Sequence, residues 1–274
     1  MRNYNIAVLM TVHNRKDITL ECLNKFFSCD KLNLNIDFFI VDDGSTDGTA
    51  DAINVNYPEV FILKGTGNLF WNRGMHYCWT QALNEKYDFY LWLNDDTLLF
   101  PYALTDLINT YQNNYKKCIV VGSICSPSNL SRVTYGGRIG NRIISPDNLN
   151  SKIQTFNGNL VLIPKEVVNT IGIIDPYFRH SFGDIEYGMR ATKHKINIYI
   201  THRFVGTCER HDFTMKCFNS KYKLVDRFKH FYSPLGLNPH EFFYLNRKYQ
   251  GLFTAIKTYI STHIRVILPQ LWKR

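Results

Sequence analysis

The sequence predicts an α/β protein whose mostly parallel central sheet is covered by helices on both faces and followed by a helical C-terminal extension. Short apolar runs alternate with amphipathic stretches through the first half of the 274-residue chain, the order of elements from which parallel sheets are built. Three of the apolar runs end in clusters of polar residues. Because ligands bind beyond the carboxyl ends of parallel strands, these clusters predict where a functional site lies.

Five apolar runs rich in Val, Ile and Phe are predicted strands, and three amphipathic stretches between them are predicted helices. The strands are Ile6–Thr11, Ile36–Asp42, Val60–Leu63, Phe89–Asn94 and Ile119–Ile124. The helices are Asp17–Phe27, Trp71–Glu85 and Tyr102–Asn113. Since the strands are apolar on both faces, we expect the sheet to be buried on both sides.

The pattern changes after residue 125. A small hairpin, one further strand and two helices are predicted at 135–145, Phe156–Pro164, Lys165–Thr170 and Asp184–Lys195. From about Asn219 the chain is predicted to be helical, with a break at Ser233–Pro239.

The composition is that of a globular protein, with 45% hydrophobic and 20% charged residues. The seven cysteines are scattered and form no C-x-x-C pair, which argues against a zinc site or a disulfide framework and favours a reducing compartment. The first apolar run is too short for a signal-peptide core and is predicted to be a strand. We therefore expect a cytoplasmic protein.

The net charge of +9 lies in the last quarter of the chain. Residues 201–274 hold 13 Lys and Arg against 4 Asp and Glu, whereas residues 1–200 are balanced at 19 against 19. A basic, aromatic-rich tail is typical of proteins that bind an anionic membrane surface, and a solvated or packed helical face is the alternative. Nucleic acid is a less favoured partner, because the basic residues cluster away from the polar strand ends.

The most informative run, Tyr90–Leu98, is an apolar strand that leads directly into Asn94, Asp95 and Asp96. Adjacent carboxylates at the end of a buried strand suit Mg²⁺ or Mn²⁺, which bind one or two carboxylates together with substrate phosphates. A solvated turn after a strand is the simpler alternative.

The second polar cluster, D-D-G-S-T-D-G at Asp42–Gly48, combines acids, hydroxyls and glycines at a strand end. Such a loop can hold a base and a ribose through hydrogen bonds, with glycine permitting close approach. An EF-hand is excluded, because the twelfth loop position is Ile53 or Asn54 rather than Glu. The alternative is an Asx-turn that leads into a helix capped by Thr46.

A glycine-punctuated loop, Gly65–Asn68, precedes the predicted helix that holds Trp71. Its backbone N–H groups could line a phosphate or sugar pocket, although it matches neither a Walker loop nor a dinucleotide motif. In the later run Ser181–Arg190, Asp184 opens a helix and could act as a general base or simply as an N-cap. His211 is a candidate metal or phosphate contact, with a structural role as the alternative.

In this order, the motifs resemble those of family 2 glycosyltransferases of the GT-A type, over about residues 4–212. The run V-D-D-G-S-T-D-G-T resembles the family's nucleotide-binding loop, and Asn94-Asp95-Asp96 stands where the family has its D-x-D metal motif. The runs N-G-N-L-V-L-I-P, I-G-I-I-D-P-Y-F and F-G-D-I-E-Y-G-M-R-A resemble its acceptor-side block. The loop G-T-G-N-L-F-W-N-R-G-M is similar to that of a bacterial rhamnosyltransferase-like subgroup.

The resemblance implies a Rossmann-like GT-A fold and an inverting, metal-dependent transfer of a sugar from a nucleotide-diphosphate sugar. The acceptor would be a glycan or a lipid-linked glycan of bacterial surface polysaccharide, such as O-antigen or capsule. The cofactor would be Mn²⁺ or Mg²⁺, and the enzyme would be peripheral on the inner face of the cytoplasmic membrane. The implied domains are a catalytic domain at 1–215, with a nucleotide-sugar half at 1–125 and an acceptor half at 126–215, and a basic helical region at 216–274.

The implied site residues fall into four groups. The catalytic base is Asp184. The nucleotide-binding residues are Thr11, Asn14, Asp42, Asp43, Gly67, Asn68 and Asp95. The metal ligands are Asp96, Asp95 and His211. The residues that contact donor or acceptor sugar are Trp71, Asn157, Gly158 and Glu186.

Two residues depart from the family's pattern, since Asn94 replaces the first acid of D-x-D and Gly183 replaces the first acid of E-D-x-D. These departures keep open a second hypothesis, a catalytically weak or inactive subunit that binds a nucleotide sugar. A sugar nucleotidyltransferase is a third hypothesis. It would open with a glycine-rich basic loop, where this chain has T-V-H-N-R-K.

Overall fold

The computed structural model describes residues 3–31, 33–83, 86–114, 117–147, 149, 151–210 and 215–272. Thirteen strands are found among them: β1 Tyr4–Val12, β2 Leu34–Asp42, β3 Phe61–Lys64, β4 Phe89–Leu93, β5 Leu98–Leu99, β6 Ile119–Ser126, β7 Asn129–Tyr135, β8 Gly137–Ile139, β9 Arg142–Ile143, β10 Lys152–Ile153, β11 Thr155–Phe156, β12 Leu160–Pro164 and β13 Ile198–Thr207. The α-helices of the same residues are α1 Lys16–Phe27, α2 Thr49–Asn56, α3 Phe70–Ala82, α4 Ala103–Asn113, α5 Lys165–Ile171, α6 Gly183–Lys193, α7 Leu224–Tyr232, α8 Pro239–Gln250 and α9 Leu252–Ile267.

The central sheet has the order β10-β13-β6-β12-β4-β1-β2-β3, with β5 and β7 at its side. The pairs β1–β2, β1–β4, β2–β3 and β6–β13 are parallel, which confirms the predicted mixed α/β fold with a mostly parallel sheet. The five predicted strands of the first half are all present. One strand breaks the pattern, since β12 lies antiparallel between β4 and β6.

Helices cover both faces of the sheet because the strands are apolar on both sides. In β4, Phe89, Leu91 and Leu93 pack with α1 and α4, while Tyr90 and Trp92 pack with α3, α5 and α6. This alternation follows from the two-residue period of a strand. Each fully buried large side chain contributes roughly 1.5–3 kcal/mol, so the burial of both faces strongly stabilises the sheet that carries the site.

The C-terminal region contributes to the same body through α8. Tyr244 of α8 stacks on Tyr177 at a ring distance of 4.1 Å, and Arg179 pairs with Glu241 at 3.0 Å. Helix α9, by contrast, leaves most of its large apolar side chains exposed. Among the described residues, no helix is both long and apolar enough to span a bilayer.

Candidate functional site

The carboxyl ends of β1, β2 and β4 meet at one edge of the sheet, as expected from their parallel pairing. The antiparallel strand β12 begins at this edge, because Leu160 pairs with Leu93. Residues 157–159 are thereby brought beside the acids that follow β4. A cavity of about 400 Å³ opens there, and its walls include Arg15, Trp71, Asp95, Asp96, Gly158 and Asp184.

The acid pair is held by an arginine that the sequence interpretation did not single out. Arg15 Nη1 lies 3.0 Å from Asp95 Oδ1, and Arg15 Nη2 lies 3.0 Å from Asp96 Oδ2. Burial raises the pKa of Asp95 to about 7, the Arg15 guanidinium opposes that rise, and the charge of Asp96 adds to it. The sequence signal for Arg15 was its place in T-V-H-N-R-K, directly after a strand that ends at the polar edge.

The two carboxylates fit a divalent cation. Oxygens of Asp95 and Asp96 converge on one positive group, the Arg15 guanidinium, so they can share a single cation. Mg²⁺ and Mn²⁺ are commonly bound by one or two carboxylates together with substrate phosphates. Within the described ranges there is no group of three or more His, Cys, Asp or Glu that could hold a metal, and the predicted ligand His211 lies outside those ranges.

Asn94, the first residue of the acidic motif, holds a tryptophan. Trp71 Nε1 donates a hydrogen bond to Asn94 Oδ1 at 2.8 Å. The Trp71 ring also packs edge-to-face against Trp92, with 6.0 Å between ring centroids. The carbonyl oxygen that could have served as a metal ligand is therefore engaged by the indole.

Gly158 connects this tryptophan to the predicted base. A Cβ atom at Gly158 would lie 2.6 Å from Trp71 Cζ2, so only glycine lets the ring pack here. The Gly158 N–H donates to Asp184 Oδ2 at 3.0 Å. Trp71, Gly158 and Asp184 thus form a continuous wall of the cavity.

Asp184 lies in the first turn of α6, where the helix N-terminus favours a negative charge. Its Oδ1 atom accepts a hydrogen bond from the Ile185 N–H at 2.8 Å. Burial raises the pKa of Asp184, while the N–H groups of Ile185 and Gly158, and then the charge of Arg138, oppose that rise. A carboxylate with a raised pKa is a stronger proton acceptor, as a general base requires.

Gly183 has a physical reason to lack a side chain. The buried Asn72 donates from Nδ2 to the carbonyl oxygens of Asp175 and Phe178, at 2.8 Å in each case. A Cβ atom at Gly183 would overlap Asn72 Oδ1. The carboxamide of Asn72 therefore occupies the space that an acid at position 183 would need.

Asp43 organises the neighbouring glycine loop. Its carboxylate is buried and accepts hydrogen bonds from the N–H groups of Gly67 at 2.7 Å, Leu69 at 2.8 Å and Phe70 at 2.9 Å. Asp43 was predicted to bind a nucleotide directly, but its carboxylate oxygens already accept hydrogen bonds from the backbone of the glycine loop. Through these bonds it sets the position of Gly67 and of the start of α3.

The other loop residues connect the ends of β1 and β2. Asn14 Oδ1 accepts a hydrogen bond from the Thr46 N–H at 2.7 Å, and Asp42 Oδ1 accepts one from the Ser45 N–H at 2.9 Å. Asn68 is exposed. Helix α2 begins at Thr49, and the Thr49 N–H donates a hydrogen bond to Asp47 Oδ1. The alternative of a helix capped by Thr46 is therefore wrong.

Two predicted ligand contacts are not available in the structure. The Thr11 hydroxyl oxygen is buried against Gly74, so it is not accessible to a ligand in this structure. Glu186 is fully buried and bonds to Arg190 at 2.8 Å, Lys248 at 2.8 Å and Tyr249 at 2.6 Å. It joins α6 to α8 and does not line the cavity of the acid pair.

The structure therefore brings together six of the predicted site residues in one cavity: Trp71, Asp95, Asp96, Asn157, Gly158 and Asp184. The loop residues Asn14, Asp42, Asp43, Gly67 and Asn68 lie at the adjoining strand ends, outside its walls. Arg15, Asn72 and Arg138 are the residues that sequence reasoning missed. Arg138 Nε donates a hydrogen bond to Asn157 Oδ1 at 3.4 Å, and its positive charge acts to lower the pKa of Asp184.

Three solved structures share the fold. The S. aureus TarS fragment 1–349 is 16% identical with a TM-score of 0.56, and the match covers 89% of this chain and 73% of that one. The Pyrobaculum calidifontis mannosyltransferase PcManGT, solved with GDP-Man and Mn²⁺, is 17% identical with a TM-score of 0.54 and coverages of 93% and 74%. The TarS fragment with UDP-GlcNAc is 13% identical, with a TM-score of 0.56 and coverages of 94% and 72%.

At these identities the likeness establishes the fold alone, and no curated protein matches the chain significantly in sequence. The family model described as "Glycosyl transferase family 2" matches residues 7–172, which is more than half of the chain. That stretch contains the Asp42–Gly48 loop, the glycine loop, the acid pair and Gly158. The chain therefore belongs to glycosyl transferase family 2.

Proposed function

We propose that the protein is an inverting, metal-dependent glycosyltransferase that moves a sugar from a nucleotide-diphosphate sugar to a glycan or lipid-linked acceptor. The observation that carries this proposal is that the acid pair and Asp184 line the same cavity of about 400 Å³. Direct displacement at the anomeric carbon requires a site for the leaving group and a proton acceptor in the same cavity. The acid pair would supply the first and Asp184 the second. Membership of the family supplies the reaction class.

On the donor side, Asp95 and Asp96 would hold Mn²⁺ or Mg²⁺ together with the phosphates of the donor. The cation, when bound, would neutralise the charge of the leaving diphosphate and act as a Lewis acid. Asn14, Asp42, Gly67 and Asn68 would surround the nucleoside, with Asp43 fixing the loop. The nucleotide-sugar complexes of PcManGT and TarS support this arrangement for a chain of the same fold.

On the acceptor side, Asp184 would take the proton from the attacking hydroxyl, a contribution of about 10²–10⁴-fold in rate. Attack from the face opposite the leaving diphosphate inverts the anomeric centre. The backbone N–H groups of Gly158 and Ile185 fix the orientation of the carboxylate before the acceptor arrives. Trp71 and Asn157 would contact the sugars on either side of the reacting centre.

A second cavity of about 710 Å³ offers room for the rest of the acceptor. It lies between the β8–β9 hairpin, α6 and the end of α8, and Ile185 lines both cavities. Met189 and Tyr249 give it apolar surface, and Arg138 and Lys193 give it positive charge. An extended glycan that reaches Asp184 through the first cavity would continue into this one. This favours a polysaccharide acceptor over a small soluble one.

Helix α9 supports an acceptor presented at a membrane. Large apolar side chains recur on one face of the helix and are exposed, among them Phe253 at 82%, Ile260 at 54% and Ile264 at 41%. Lys257 and Arg265 lie on the same helix. An exposed apolar stripe with cations beside it is typical of helices that lie in the interface of an anionic bilayer. We infer a peripheral enzyme on the inner face of the cytoplasmic membrane that acts in surface polysaccharide synthesis.

We infer that the donor carries a deoxyhexose. The loop Gly65–Met75 is similar to that of rhamnosyltransferase-like members of the family, which favours a deoxyhexose donor. A thermal-shift series of UDP, GDP and dTDP, each with Mn²⁺ and with its sugars attached, would identify the nucleotide, because a ligand that binds only the folded state raises the melting temperature. No shift with any member of the series would contradict nucleotide-sugar binding altogether.

The proposed function is tested by the substitution Asp184→Asn. We expect the thermal shift with the identified nucleotide to remain and the release of nucleoside diphosphate from the donor to fall by about 10²–10⁴-fold, because the base is lost. Asp226→Asn, at an exposed acid on α7, is the matched control. A wild-type rate in Asp184→Asn would remove the base assignment. No release by the wild-type protein itself would favour the alternative of a nucleotide-sugar-binding subunit.

A further inference from the structure

We propose that Arg15 is an exchangeable cation of this site, held by Asp95 and Asp96 when the donor is absent and transferred to the donor's diphosphate when a divalent cation takes its place. The inference rests on the proposed function, because it assigns a step in donor binding to a residue of the same cavity. It goes beyond that function by predicting competition between a side chain and the metal ion.

The Arg15 guanidinium bridges the two carboxylates of the acid pair. The two terminal nitrogens of Arg15 each lie 3.0 Å from a carboxylate oxygen, but the oxygens belong to two different residues, Asp95 and Asp96. The guanidinium therefore lies between the carboxylates, where a bridging cation would also lie. A divalent cation and the guanidinium cannot both bind these two oxygens at the same time. The two positive groups would compete for the same lone pairs and repel each other.

The burial of the acids makes a positive partner necessary. The Asp95 side chain is only 7% exposed and that of Asp96 17%, so two adjacent carboxylates are withdrawn from water. Uncompensated charges in such a place are strongly unfavourable, and removing one partner of a buried pair is costly for that reason. Either Arg15 or a metal ion can meet the requirement, which is the condition for an exchange.

A second anionic partner, the donor's diphosphate, would be available to Arg15 when a metal ion displaces it from the acid pair. The Arg15 side chain is 34% exposed and lines the cavity, so a bound ligand there lies within its reach. Among the described residues that line this cavity, it is the one Arg or Lys. A diphosphate keeps negative charge after one divalent cation has bound, and the planar guanidinium fork matches phosphate oxygens well. The leaving group would then be neutralised by two cations.

The exchange has a signature that a purely structural role lacks. Without the Arg15 side chain, Mn²⁺ alone has no competitor for the acid pair, so its affinity should rise. A nucleoside diphosphate in the presence of Mn²⁺ loses one of its two cations, so its affinity should fall. Both changes should be about 5-fold or more, the lower range of typical coupling between ligands.

The test uses the full chain and two probes, Mn²⁺ alone and a nucleoside diphosphate with saturating Mn²⁺, taking GDP and UDP in turn. Electron paramagnetic resonance measures free Mn²⁺, and calorimetry measures nucleotide binding. Arg15→Ala should bind Mn²⁺ more tightly and nucleoside diphosphate more weakly than the wild-type protein. Lys16→Ala is the matched control, because it removes the same charge from the neighbouring exposed position and should change neither affinity by more than about 2-fold.

Arg15→Lys keeps the charge without the fork and serves as the second variant if Arg15→Ala does not fold. It should retain part of the nucleotide affinity and give an intermediate Mn²⁺ affinity. If either variant moves both affinities in the same direction, or leaves the Mn²⁺ affinity unchanged, the exchange is refuted and Arg15 only holds the carboxylates in place. If the wild-type protein binds neither Mn²⁺ nor any nucleoside diphosphate, the proposed function fails together with the exchange.

Discussion

Asn94 and Gly183, the two residues at which the acidic motifs differ from the family pattern, each meet a side chain from the first turn of α3. Asn94 accepts the indole N–H of Trp71, and Gly183 leaves room for the carboxamide of Asn72. Each departure is thus matched by a specific contact in the folded chain. Asp96, the last residue of the first motif, and Asp184, the second residue of the other, both line the cavity.

The contact between Gly183 and Asn72 gives a prediction about stability. Gly183→Ala should lower the free energy of unfolding by about 1–3 kcal/mol, because the added methyl group forces the buried carboxamide or α6 to move. Urea unfolding measures the change. In a double-mutant cycle with Asn72→Ala the two effects should not add, since removing the carboxamide relieves the overlap. Additive effects would mean that Asn72 is not the obstacle.

Asp184 gives a prediction about pH. Only the ionised carboxylate can accept a proton, and burial raises its pKa, so the rate of donor turnover should fall on the acid side at a higher pH than for an exposed Asp. The charge of Arg138 opposes that rise. Arg138→Gln should therefore raise the pKa of Asp184 further and shift the acid limb of kcat/KM to higher pH. Arg142→Gln, at an exposed position of the same hairpin, should leave it in place. A shift to lower pH in Arg138→Gln would contradict the assignment.

At the scale of elements, the first turn of α3 joins the three parts of the site. Its N-terminal end is held by Asp43 through the N–H groups of Leu69 and Phe70. Trp71 then contacts the acid strand β4 and Gly158, while Asn72 reaches the carbonyl groups that precede α6. The Asp43 loop, the acid pair and α6 are therefore positioned by one helical turn.

The hydrogen bond between Trp71 and Asn94 can be tested by two substitutions of one residue. Asn94→Ala leaves the partly buried indole N–H without its acceptor and should cost about 1–3 kcal/mol of stability. Asn94→Asp keeps an acceptor oxygen, so the Trp71 environment should change little. Near-ultraviolet circular dichroism and denaturant unfolding report the two quantities. If Asn94→Ala and Asn94→Asp gave equal stabilities and spectra, the bond would have no structural role.

The sequence allowed the strand runs and the acidic strand ends to be predicted, because both signals are local. Burial on two faces makes β1, β2 and β4 continuous apolar runs, and parallel pairing carries Asp42 and Asn94 to one edge. The long strand β13 was missed because Thr201, His202 and Arg203 interrupt its apolar pattern. Arg15 and Asn72 were missed because their partners are 80 and more residues away in the chain; the position of Arg15 after a strand end indicated the polar edge but not its contact with the acid pair.

At the scale of the whole molecule, the C-terminal region connects the second cavity, of about 710 Å³, to the exposed apolar stripe of α9. Lys248 and Tyr249 at the end of α8 line the second cavity and also bond to the buried Glu186. Helix α9 begins only a few residues later, at Leu252. On the proposed function, a lipid-linked glycan would extend from a bilayer surface at α9 to Asp184 along one side of α8.

The stripe on α9 gives a prediction about membranes. Phe253→Glu combined with Ile260→Glu should abolish cosedimentation with anionic phosphatidylglycerol vesicles, because it places two charges on the exposed apolar face. The matched control is Val55→Glu with Leu130→Glu, which replaces two exposed apolar residues outside α9 by the same acid. The control should bind vesicles nearly as the wild-type protein does. Unchanged binding by the α9 variant would exclude the stripe as the membrane contact.

The antiparallel placement of β12 has a mechanical consequence. Five residue pairs join β12 to β4, and the Asn94 N–H extends the contact by donating to the Asn159 carbonyl at 3.0 Å. The strand that leads to the acids and the strand that follows Gly158 are thus about 4.8 Å apart by sheet geometry. Hinge bending between β4 and β12 would rupture this ladder, so Asn94 and the Gly158 N–H that bonds to Asp184 are held in one rigid unit. On the proposed function, acceptors of different size would then be accommodated by the surrounding loops, while this rigid unit keeps its shape.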